Sequence, residues 1–521
     1  MSNADSNVCS AGRVGAEEFK QLVEQRAGQL LSLVDFVSRH GMREVVLSRP
    51  LLGELHSQAM QIEELLDAYD AGNNCSWCWF RSLTAALKLF SDVTYELLHI
   101  QHSVPDYRLM PIENDFAKAT DQVLGFTCDV LVHACRLMEV RSRQLGLAIV
   151  PNGHEIGKYA EKLPGGRLPR DCRARRVETV AETVTGLATA FLNLAADSED
   201  IRGAGRAKPD QYARYLEGPV TEDKLRSLEL RFHNLQSLYD TKVSGTEIAA
   251  MDTDLPVLRG HISVVFHLLK TATLFAHHYE RHLDRKPCEI ASSREPLVNR
   301  DALLAALMSY SIRHISLYIA CTEQLCQDML KRYAEVAEVT VPVPPYRGFH
   351  VRPSTLISKL VLHYGSEVRM LMDNEVYDAG SPLELFRANE KINAAKRRRL
   401  AEAVDGLNLN GECLGSAEIK KILHETVMQL VQREKVILYE QPLELPAESV
   451  QTLGRLQEQV TVEVARLLTL GKIDVEVDLQ VRFVGDRRVL DDIRLLAESG
   501  YGEDHLGNNI ALPQKLVYLR R

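Results

Sequence analysis

The residue of this chain best placed to do chemistry is His350, which stands where a β-like run meets a helical run. Gly348 permits the backbone turn that ends the strand, and Pro353 fits the first turn of a helix, where its missing N–H is no loss. We therefore predict His350 at a helix N-terminus, beside free N–H groups and the positive end of the macrodipole. With the guanidinium of Arg352 two residues further on, the imidazole is suited to accept a phosphoryl group as a nucleophile.

The residues around His350 resemble a known phosphorylation site. The run Gly348-Phe349-His350-Val351-Arg352-Pro353-Ser354 is similar to the site of HPr, the histidine phosphocarrier of the bacterial phosphotransferase system, where the pattern reads Gly-Leu-His-x-Arg-Pro-Ala. Ser381 follows His350 by 381 − 350 = 31 residues, the interval between histidine and regulatory serine in HPr. The resemblance implies that His350 accepts the phosphoryl group, that Arg352 stabilises it, and that Ser381 is a regulatory site.

The elements that would position His350 also follow the HPr order. Residues 338–343 form the first predicted strand, and an apolar-periodic helix begins after His350. The other predicted elements of this part are strands at 366–371 and 375–379, joined by an Asp373-Asn374 turn, and a short helix at 382–388. The resemblance implies an HPr-like open-faced β-sandwich, in which an antiparallel sheet carries helices on one face.

After Ser381 the sequence departs from the HPr pattern. A basic helical run at 392–407 and a second helix at 416–434 come before the next β-like run, 435–440, and a helix at 446–470 follows that run. We therefore predict an HPr-like domain at 337–470 that is interrupted by an inserted helical hairpin at about 389–434.

The chain continues with a C-terminal extension, residues 471–521. It has an alternating strand pattern at 475–483 and a predicted helix from Arg487 to Glu498. Two placements stay open for this strand: it could extend the HPr-like sheet or form a small α/β lobe of its own.

The first three-fifths of the chain is predicted to be helical. Residues 1–15 are small and polar and are expected to be disordered. Helical periodicity then dominates 16–335, which indicates one helical bundle, or two with a break near 197–210. The fold class is thus mainly α with an α+β domain.

Composition limits the classes of partner. The 521 residues are 45% hydrophobic and 26% charged, with a formal charge of −9, which argues against general nucleic-acid binding. The most apolar stretch, 262–276, is too short to span a bilayer and contains Lys270, so a buried helix is expected and no membrane insertion. The ten cysteines lack disulfide-like spacing, which is consistent with reduced thiols in a cytoplasm.

Three polar motifs in the helical part could bind metal or do redox chemistry. Cys75-Ser76-Trp77-Cys78 has redox or zinc spacing, but burial beside its aromatic neighbours is favoured. Glu96 and His99 form one Glu-x-x-His, half of a di-iron motif, and no second copy follows. The remaining motif is the trio His277, His278 and His282, whose charged neighbours favour a solvated helix end. No metal or cofactor is therefore predicted.

Two basic runs could contact acidic or phosphorylated groups. The segment 167–176 carries five arginines and could dock a phosphorylated partner, or simply be a solvated loop. The run Lys396-Arg397-Arg398-Arg399 could be an exposed face, an intramolecular contact or a partner site.

These patterns support two functional hypotheses. The first is a phosphorelay or regulatory protein phosphorylated on His350, for which the resemblance implies an enzyme I-like donor and an HPr-kinase-like enzyme for Ser381; the regulated protein is unknown. The second is a scaffold protein with a degenerate HPr-like domain and no phosphotransfer. The surface expected to bind partners consists of Pro382, Leu383, Phe386 and Arg347. An independent enzyme is less expected, because no nucleophile elbow, phosphate loop or paired-carboxylate motif is found.

Overall fold

The structure, a computed structural model, describes most of the chain. It covers residues 14–40, 47–149, 156–159, 179–283, 297–409, 416–439, 442–445, 455–475 and 477–520. The chain divides into two compact units, Met1–Leu325 and Cys326–Arg521. The described residues are mostly helical, with a small antiparallel sheet in the second unit.

The first unit is built from helices, as the sequence periodicity predicts. Those of the described N-terminal part are α1 (Ala16–His40), α2 (Arg49–Ala68), α3 (Cys78–Ser103), α4 (Phe116–Gln144), α5 (Val180–Asp197), α6 (Glu199–Ala204), α7 (Tyr212–Leu216), α8 (Glu222–Lys242), α9 (Ile248–Met251), α10 (Asp254–His278), α11 (Arg300–Ala305) and α12 (Arg313–Arg332). Helix α3 packs against α2, α4 and α10, and α10 packs against α8. Helix α10 contains the stretch 262–276, and most residues of this stretch are buried, so the prediction of a buried helix is confirmed.

Short helices of other types complete the unit. Two are π-helical, Tyr279–Leu283 and Ala306–Ile312, and 3₁₀ turns lie at Ala71–Asn73, Val104–Asp106, Ile156–Tyr159 and Pro209–Gln211. Among the described residues, one continuous helical stretch, Arg300–Arg332, is long and apolar enough to cross a membrane. Its most apolar window is 67% buried inside the protein, which is equally typical of a core helix.

The second unit begins within the last turns of α12 and continues with the strand and helix that flank His350. Its elements are β1 (Val336–Pro342), α13 (Val351–Tyr364), β2 (Val368–Met372), β3 (Glu375–Asp378), α14 (Pro382–Asp405), α15 (Ser416–Gln432), β4 (Ile437–Leu438), α16 (Leu456–Thr469), β5 (Ile473–Asp474), β6 (Gln480–Asp486), α17 (Arg487–Glu498) and 3₁₀ turns at Gly500–Gly502 and Gln514–Arg520. Asp373 and Asn374 both adopt positive φ between β2 and β3, as a tight hairpin turn requires.

Four of these strands form an antiparallel sheet in the order β1-β6-β2-β3. Pairing places Val339 opposite Phe483, Phe483 opposite Met370, and Met370 opposite Tyr377, so a buried apolar row crosses the sheet. On the other face, charged and polar residues such as Arg482 are exposed. One face of the sheet is therefore packed and the other meets solvent, as is common for antiparallel sheets.

Helix α17 covers the packed face. Helix α17 packs against β1 and β6, and it also contacts α13. Between the two helices, the Tyr364 hydroxyl donates a hydrogen bond of 2.9 Å to the buried carboxylate of Asp492. The predicted helix Arg487–Glu498 is confirmed with the same bounds.

The predicted place of the strand at 435–440 was wrong. Of the described residues 435–439, Ile437 and Leu438 form a strand, and they pair with β5 in a separate two-stranded sheet. The main sheet instead takes β6, from the run whose placement the sequence left open. Neighbouring Val436 is buried in a core formed by α14, α15, α16 and β5, so this segment completes the insertion and not the sheet.

The insertion is therefore longer than the predicted 389–434: it extends to residue 479, because the chain returns to the main sheet only at β6. The expected short helix 382–388 and the basic run 392–407 are one continuous helix, α14. Of the helix expected at 446–470, the part Leu456–Thr469 is observed as α16, and residues 446–454 lie outside the described part of the chain.

The sheet order predicts an energetic coupling between neighbours. We expect Val339→Ala and Phe483→Ala, whose side chains face each other across β1 and β6, to be non-additive by about 0.5–3 kcal/mol in the free energy of unfolding. Val339→Ala combined with Leu438→Ala should add within about 0.5 kcal/mol, because these residues lie in different sheets. Urea unfolding of the single and double variants measures both. Coupling to Leu438 and not to Phe483 would contradict the observed sheet.

Candidate functional site

A strained turn presents His350 at the start of α13. Arg347 and Gly348 have positive φ values of 53° and 64°, and His350 is the N-cap residue of the helix. At Gly348 a Cβ atom would lie 2.2 Å from Oδ1 of Asn389, so both the backbone angle and the space favour glycine. The predicted position of His350 at a helix N-terminus is confirmed. Its side chain is 25% exposed, which leaves the imidazole partly accessible.

A buried carboxylate that the sequence did not indicate holds the imidazole. Oε1 of Glu503 lies 2.6 Å from Nε2 of His350, and the Glu503 side chain is completely buried. Glu503 follows the 3₁₀ turn Gly500–Gly502, and the next residue, Asp504, folds the loop by accepting hydrogen bonds from the backbone N–H groups of Leu506 and Asn508. The C-terminal extension thus supplies a site residue.

Arg352 faces the same carboxylate. Its Nη1 atom lies 3.6 Å from Oε2 of Glu503, and neither atom has a hydrogen bond within the described part of the chain. This contact is therefore an ion pair without a hydrogen bond. Arg352 lies beside His350 as predicted, but its charge is directed at Glu503.

The carboxylate decides which nitrogen of His350 is available. Because an ionised carboxylate only accepts hydrogen bonds, Nε2 carries the proton that it shares with Glu503. In the neutral imidazole, Nδ1 then has the free lone pair. No described residue forms a hydrogen bond with Nδ1. The arrangement thus orients the imidazole and leaves the lone pair of Nδ1 free.

A second buried carboxylate fixes the turn before His350. Asp474 of β5 accepts hydrogen bonds from Nζ of Lys396 at 2.7 and 2.8 Å, from the Tyr439 hydroxyl at 2.9 Å, and from the backbone N–H of Arg347 at 3.2 Å. Burial raises the pKa of Tyr439, and the charge of Asp474 raises it further, so the hydroxyl stays protonated and donates. Lys396 is only 2% exposed, so this first residue of the basic run makes an intramolecular contact, whereas Arg397 and Arg398 are exposed.

Arg347 is exposed, and its side chain also makes contacts within the protein. Its guanidinium lies over the ring of Tyr346, 5.5 Å from the centroid, and against Gly471, where a Cβ atom would overlap it. The Tyr346 ring in turn contacts the rings of His350 and Tyr439, at centroid distances of 5.4 and 5.0 Å. The insertion therefore packs directly against the turn that carries His350.

Ser381 is the N-cap residue of α14, a position where a serine hydroxyl is expected to cap the helix, but the expected bond is not formed. Its side chain makes no cap hydrogen bond. The backbone alone defines the start of the helix, through the N–H groups of Glu384 and Leu385, which donate to the carbonyl of Ser381. Of the expected partner-binding residues, Leu383 is 73% exposed, and Pro382 and Phe386 are partly exposed.

In the helical unit, the Glu-x-x-His motif belongs to an ionic cluster. Glu96 of α3 accepts hydrogen bonds from Nδ1 of His267 at 2.7 Å and from Nζ of Lys270 at 2.6 Å. Burial opposes ionisation of Glu96, but these partners outweigh it and lower its pKa to about 2. Burial and the neighbouring His267 lower the pKa of His99 to about 4. Among the described residues no group of three or more metal-ligating side chains is present.

The other sequence motifs of the helical unit differ from one another in exposure and contacts. Trp77 and Phe80 are buried as expected, but Cys75 is exposed and Cys78 is partly exposed. His277 contacts Glu222 at 3.1 Å. The arginine-rich segment 167–176 lies outside the described residues.

Sequence patterns missed Glu503, Asp474 and Tyr439. Each is a single polar residue with no spacing motif, and each lies more than 80 residues from His350, as 439 − 350 = 89 shows for the nearest. The only available signal was the Tyr501-Gly502-Glu503-Asp504 turn sequence, which indicates a turn but no chemistry.

Comparison with known proteins gives no family model that matches the chain, and no curated protein or solved structure that is significantly similar to it. The function is therefore inferred from the residues of the site.

The buried ion pair predicts a large loss of stability when it is broken. We expect Lys396→Met to lower the free energy of unfolding by about 3–5 kcal/mol, because it leaves Asp474 buried without its cation. Adding Asp474→Asn should recover part of that loss. Arg398→Met, on the exposed side of the same helix, should stay within about 0.5 kcal/mol of wild type. Equal urea midpoints for Lys396→Met and Arg398→Met would show that the pair does not stabilise the fold.

The Glu96 cluster predicts a pH-dependent contribution to stability. The pKa of Glu96 is lowered from 4.5 to about 2, so in this window the native state binds fewer protons than the unfolded chain and stability decreases as the pH is lowered. At neutral pH, Glu96→Gln should cost about 3 kcal/mol. That difference from wild type should be present above pH 4.5 and fade as the pH falls towards 2. Urea unfolding at several pH values measures it, with the exposed Glu17→Gln as control; a pH-independent difference would contradict the ionic origin.

Proposed function

We propose that this protein is an HPr-like phosphorelay or regulatory protein that is phosphorylated on Nδ1 of His350. The observation that carries this proposal is the hydrogen bond between Nε2 and the buried Glu503, which leaves Nδ1 free at the start of α13. In the transfer step, the lone pair of Nδ1 attacks phosphorus, and the bond between phosphorus and the donor breaks with its electron pair on the donor. By the resemblance, the donor is an enzyme I-like protein charged by phosphoenolpyruvate.

The order of elements supports the proposal. Strand, helix, strand, strand, helix, strand and helix follow one another from β1 to α17 once the insertion is set aside. The resemblance implies the same order. It also implies an antiparallel sheet with helices on one face, which agrees with the packing of α17 on β1 and β6 and of α13 against α17.

Arg352 is the residue that would stabilise the phosphoryl group. Its present contact with Glu503 lacks a hydrogen bond, and its side chain is 36% exposed, so the guanidinium can turn towards a phosphate at modest cost. Arginine and phosphate form strong, charge-assisted hydrogen bonds. Phosphorylation would thus exchange one arginine contact for another and loosen the loop that carries Glu503. Such a local change could signal to a partner protein, with Ser381 as a further regulatory position.

The alternative is a scaffold protein without phosphotransfer. The observation that favours it is the same buried Glu503, whose negative charge opposes a phosphate nearby and already occupies both His350 and Arg352. Arg347, expected to bind a partner, also packs on Gly471 of the insertion. In this case the site would be a structural link between the C-terminal loop and α13.

One assay separates the two functions. The protein is incubated with phosphoenolpyruvate and a bacterial enzyme I, and acid-labile phosphate is measured by mass spectrometry at neutral pH. We expect one phosphate on His350, and its loss in His350→Ala because no other imidazole is positioned by a buried carboxylate at this turn. His505→Ala, an exposed histidine on the same loop as Glu503, is the matched control and should keep full labelling.

The same assay on further variants tests the role of Arg352 and whether the phosphate is on His350. Arg352→Gln should lower the labelling rate by about tenfold or more, because loss of one charge-assisted contact in the transition state costs roughly 1.4 kcal/mol or more. Labelling that is equal in wild type and His350→Ala, or absent in wild type, would exclude phosphotransfer at this site and leave the scaffold function.

A further inference from the structure

The helical unit contains a pair of cysteines that the proposed function does not use. Cys75 and Cys78 lie on the turn that leads into α3, and Cys78 is the first residue of that helix. The backbone N–H groups of Trp77 and Cys78 both donate to the carbonyl of Asn74, at 3.0 and 2.7 Å. The segment is thus already wound as one helical turn, which brings residues three apart to the same side.

The side chains follow from this backbone. Sγ of Cys78 lies 3.7 Å from the carbonyl oxygen of Cys75, so the second sulfur is directed back along the turn towards the first residue. Residues three apart in a helical turn have Cβ atoms about 5–6 Å apart, whereas a disulfide needs about 3.5–4.5 Å. Closing the pair therefore requires a local shift of only about 1–2 Å.

Exposure distinguishes the two thiols. Cys75 is exposed and can meet a small disulfide from solvent, while Cys78 is partly covered by the turn. The other described cysteines differ from this pair: Cys135 and Cys326 are buried, and burial raises the pKa of Cys128 to about 11 and also raises that of Cys321. Only Cys75 and Cys78 of the described cysteines combine exposure with a partner three residues away.

The two residues between the cysteines, Ser76 and Trp77, connect them to the helical core. Trp77 is buried and contacts Phe19 of α1 edge to face, at a centroid distance of 5.0 Å, and also contacts Phe80. Arg141 of α4 donates a hydrogen bond to the carbonyl of Ser76. A change in the conformation of the turn would therefore alter how α1 and α4 pack against α3.

We propose that Cys75 and Cys78 form a reversible redox pair that takes a low-molecular-weight disulfide, such as glutathione disulfide, as its oxidant. The thiolate of Cys75 attacks one sulfur of the oxidant, and one glutathione thiolate leaves. The thiolate of Cys78 then attacks the sulfur of Cys75 and releases the second glutathione. Two protein thiols are oxidised to one disulfide, and the small disulfide is reduced to two thiolates, which take up the two protons that the cysteine thiols release.

The test uses the full chain and the tryptophans beside the pair. Trp77 and Trp79 are the only two tryptophans in the sequence, so intrinsic fluorescence reports on this turn. The protein is equilibrated with glutathione buffers of increasing disulfide content, quenched with acid, alkylated and examined by mass spectrometry. We expect loss of both alkylation sites at Cys75 and Cys78, in step with a change in tryptophan emission that dithiothreitol reverses.

Variants assign the roles and supply the control. Cys78→Ser should stop at a glutathione adduct on Cys75, and Cys75→Ser should give neither disulfide nor fluorescence change. The double variant Cys128→Ser, Cys321→Ser should behave as wild type. The proposal is overturned if both thiols of the wild type remain alkylatable at the highest disulfide content, or if the fluorescence change persists in Cys75→Ser.

Discussion

The turn that carries His350 depends on a buried charge, Asp474. Removing a carboxylate and an ammonium group from water costs several kcal/mol per ion, so such a pair persists only when its hydrogen bonds are nearly complete. Asp474 meets this condition with Lys396, the Tyr439 hydroxyl and the backbone N–H of Arg347. Two of these partners belong to the insertion and the third to the turn. The same bonds that make the charge tolerable therefore hold the turn in its positive-φ conformation.

This constraint explains why the insertion belongs to the site. An independent helical hairpin would need only its own apolar core, which the segment has around Val436, Val464 and Ile473. The Asp474–Lys396 pair adds a directional contact, because hydrogen bonds to a buried carboxylate require defined positions. The apolar core stabilises the insertion, and the charged pair fixes where it lies against the turn before His350.

Local patterns predicted the local features. The Asp373-Asn374 hairpin, the helix start at Val351 and the helix Arg487–Glu498 each depend on residues within a few positions of one another. The choice between 435–440 and 480–486 as the remaining strand could not be made in this way. Both runs are strand-like, the first with a continuous apolar centre and the second with partial alternation, and only the packing of Phe483 against Val339 and Met370 distinguishes them. Similarly, Glu503 has no local signature, since its role exists only when the C-terminal loop reaches α13.

The energetics of Glu503 restrict how His350 can react. The contact between Arg352 and Glu503 is a partly exposed ion pair without a hydrogen bond, so it stabilises the site little. In the proposed phosphorylated state, Arg352 would bind the phosphate instead of Glu503. Glu503 itself is completely buried, and a buried carboxylate without any partner is strongly unfavourable. Its hydrogen bond from Nε2 must therefore survive any modification of the ring. Under the proposed function, attack through Nε2 would break that bond, whereas attack through Nδ1 would preserve it, so the buried carboxylate would select the reacting nitrogen.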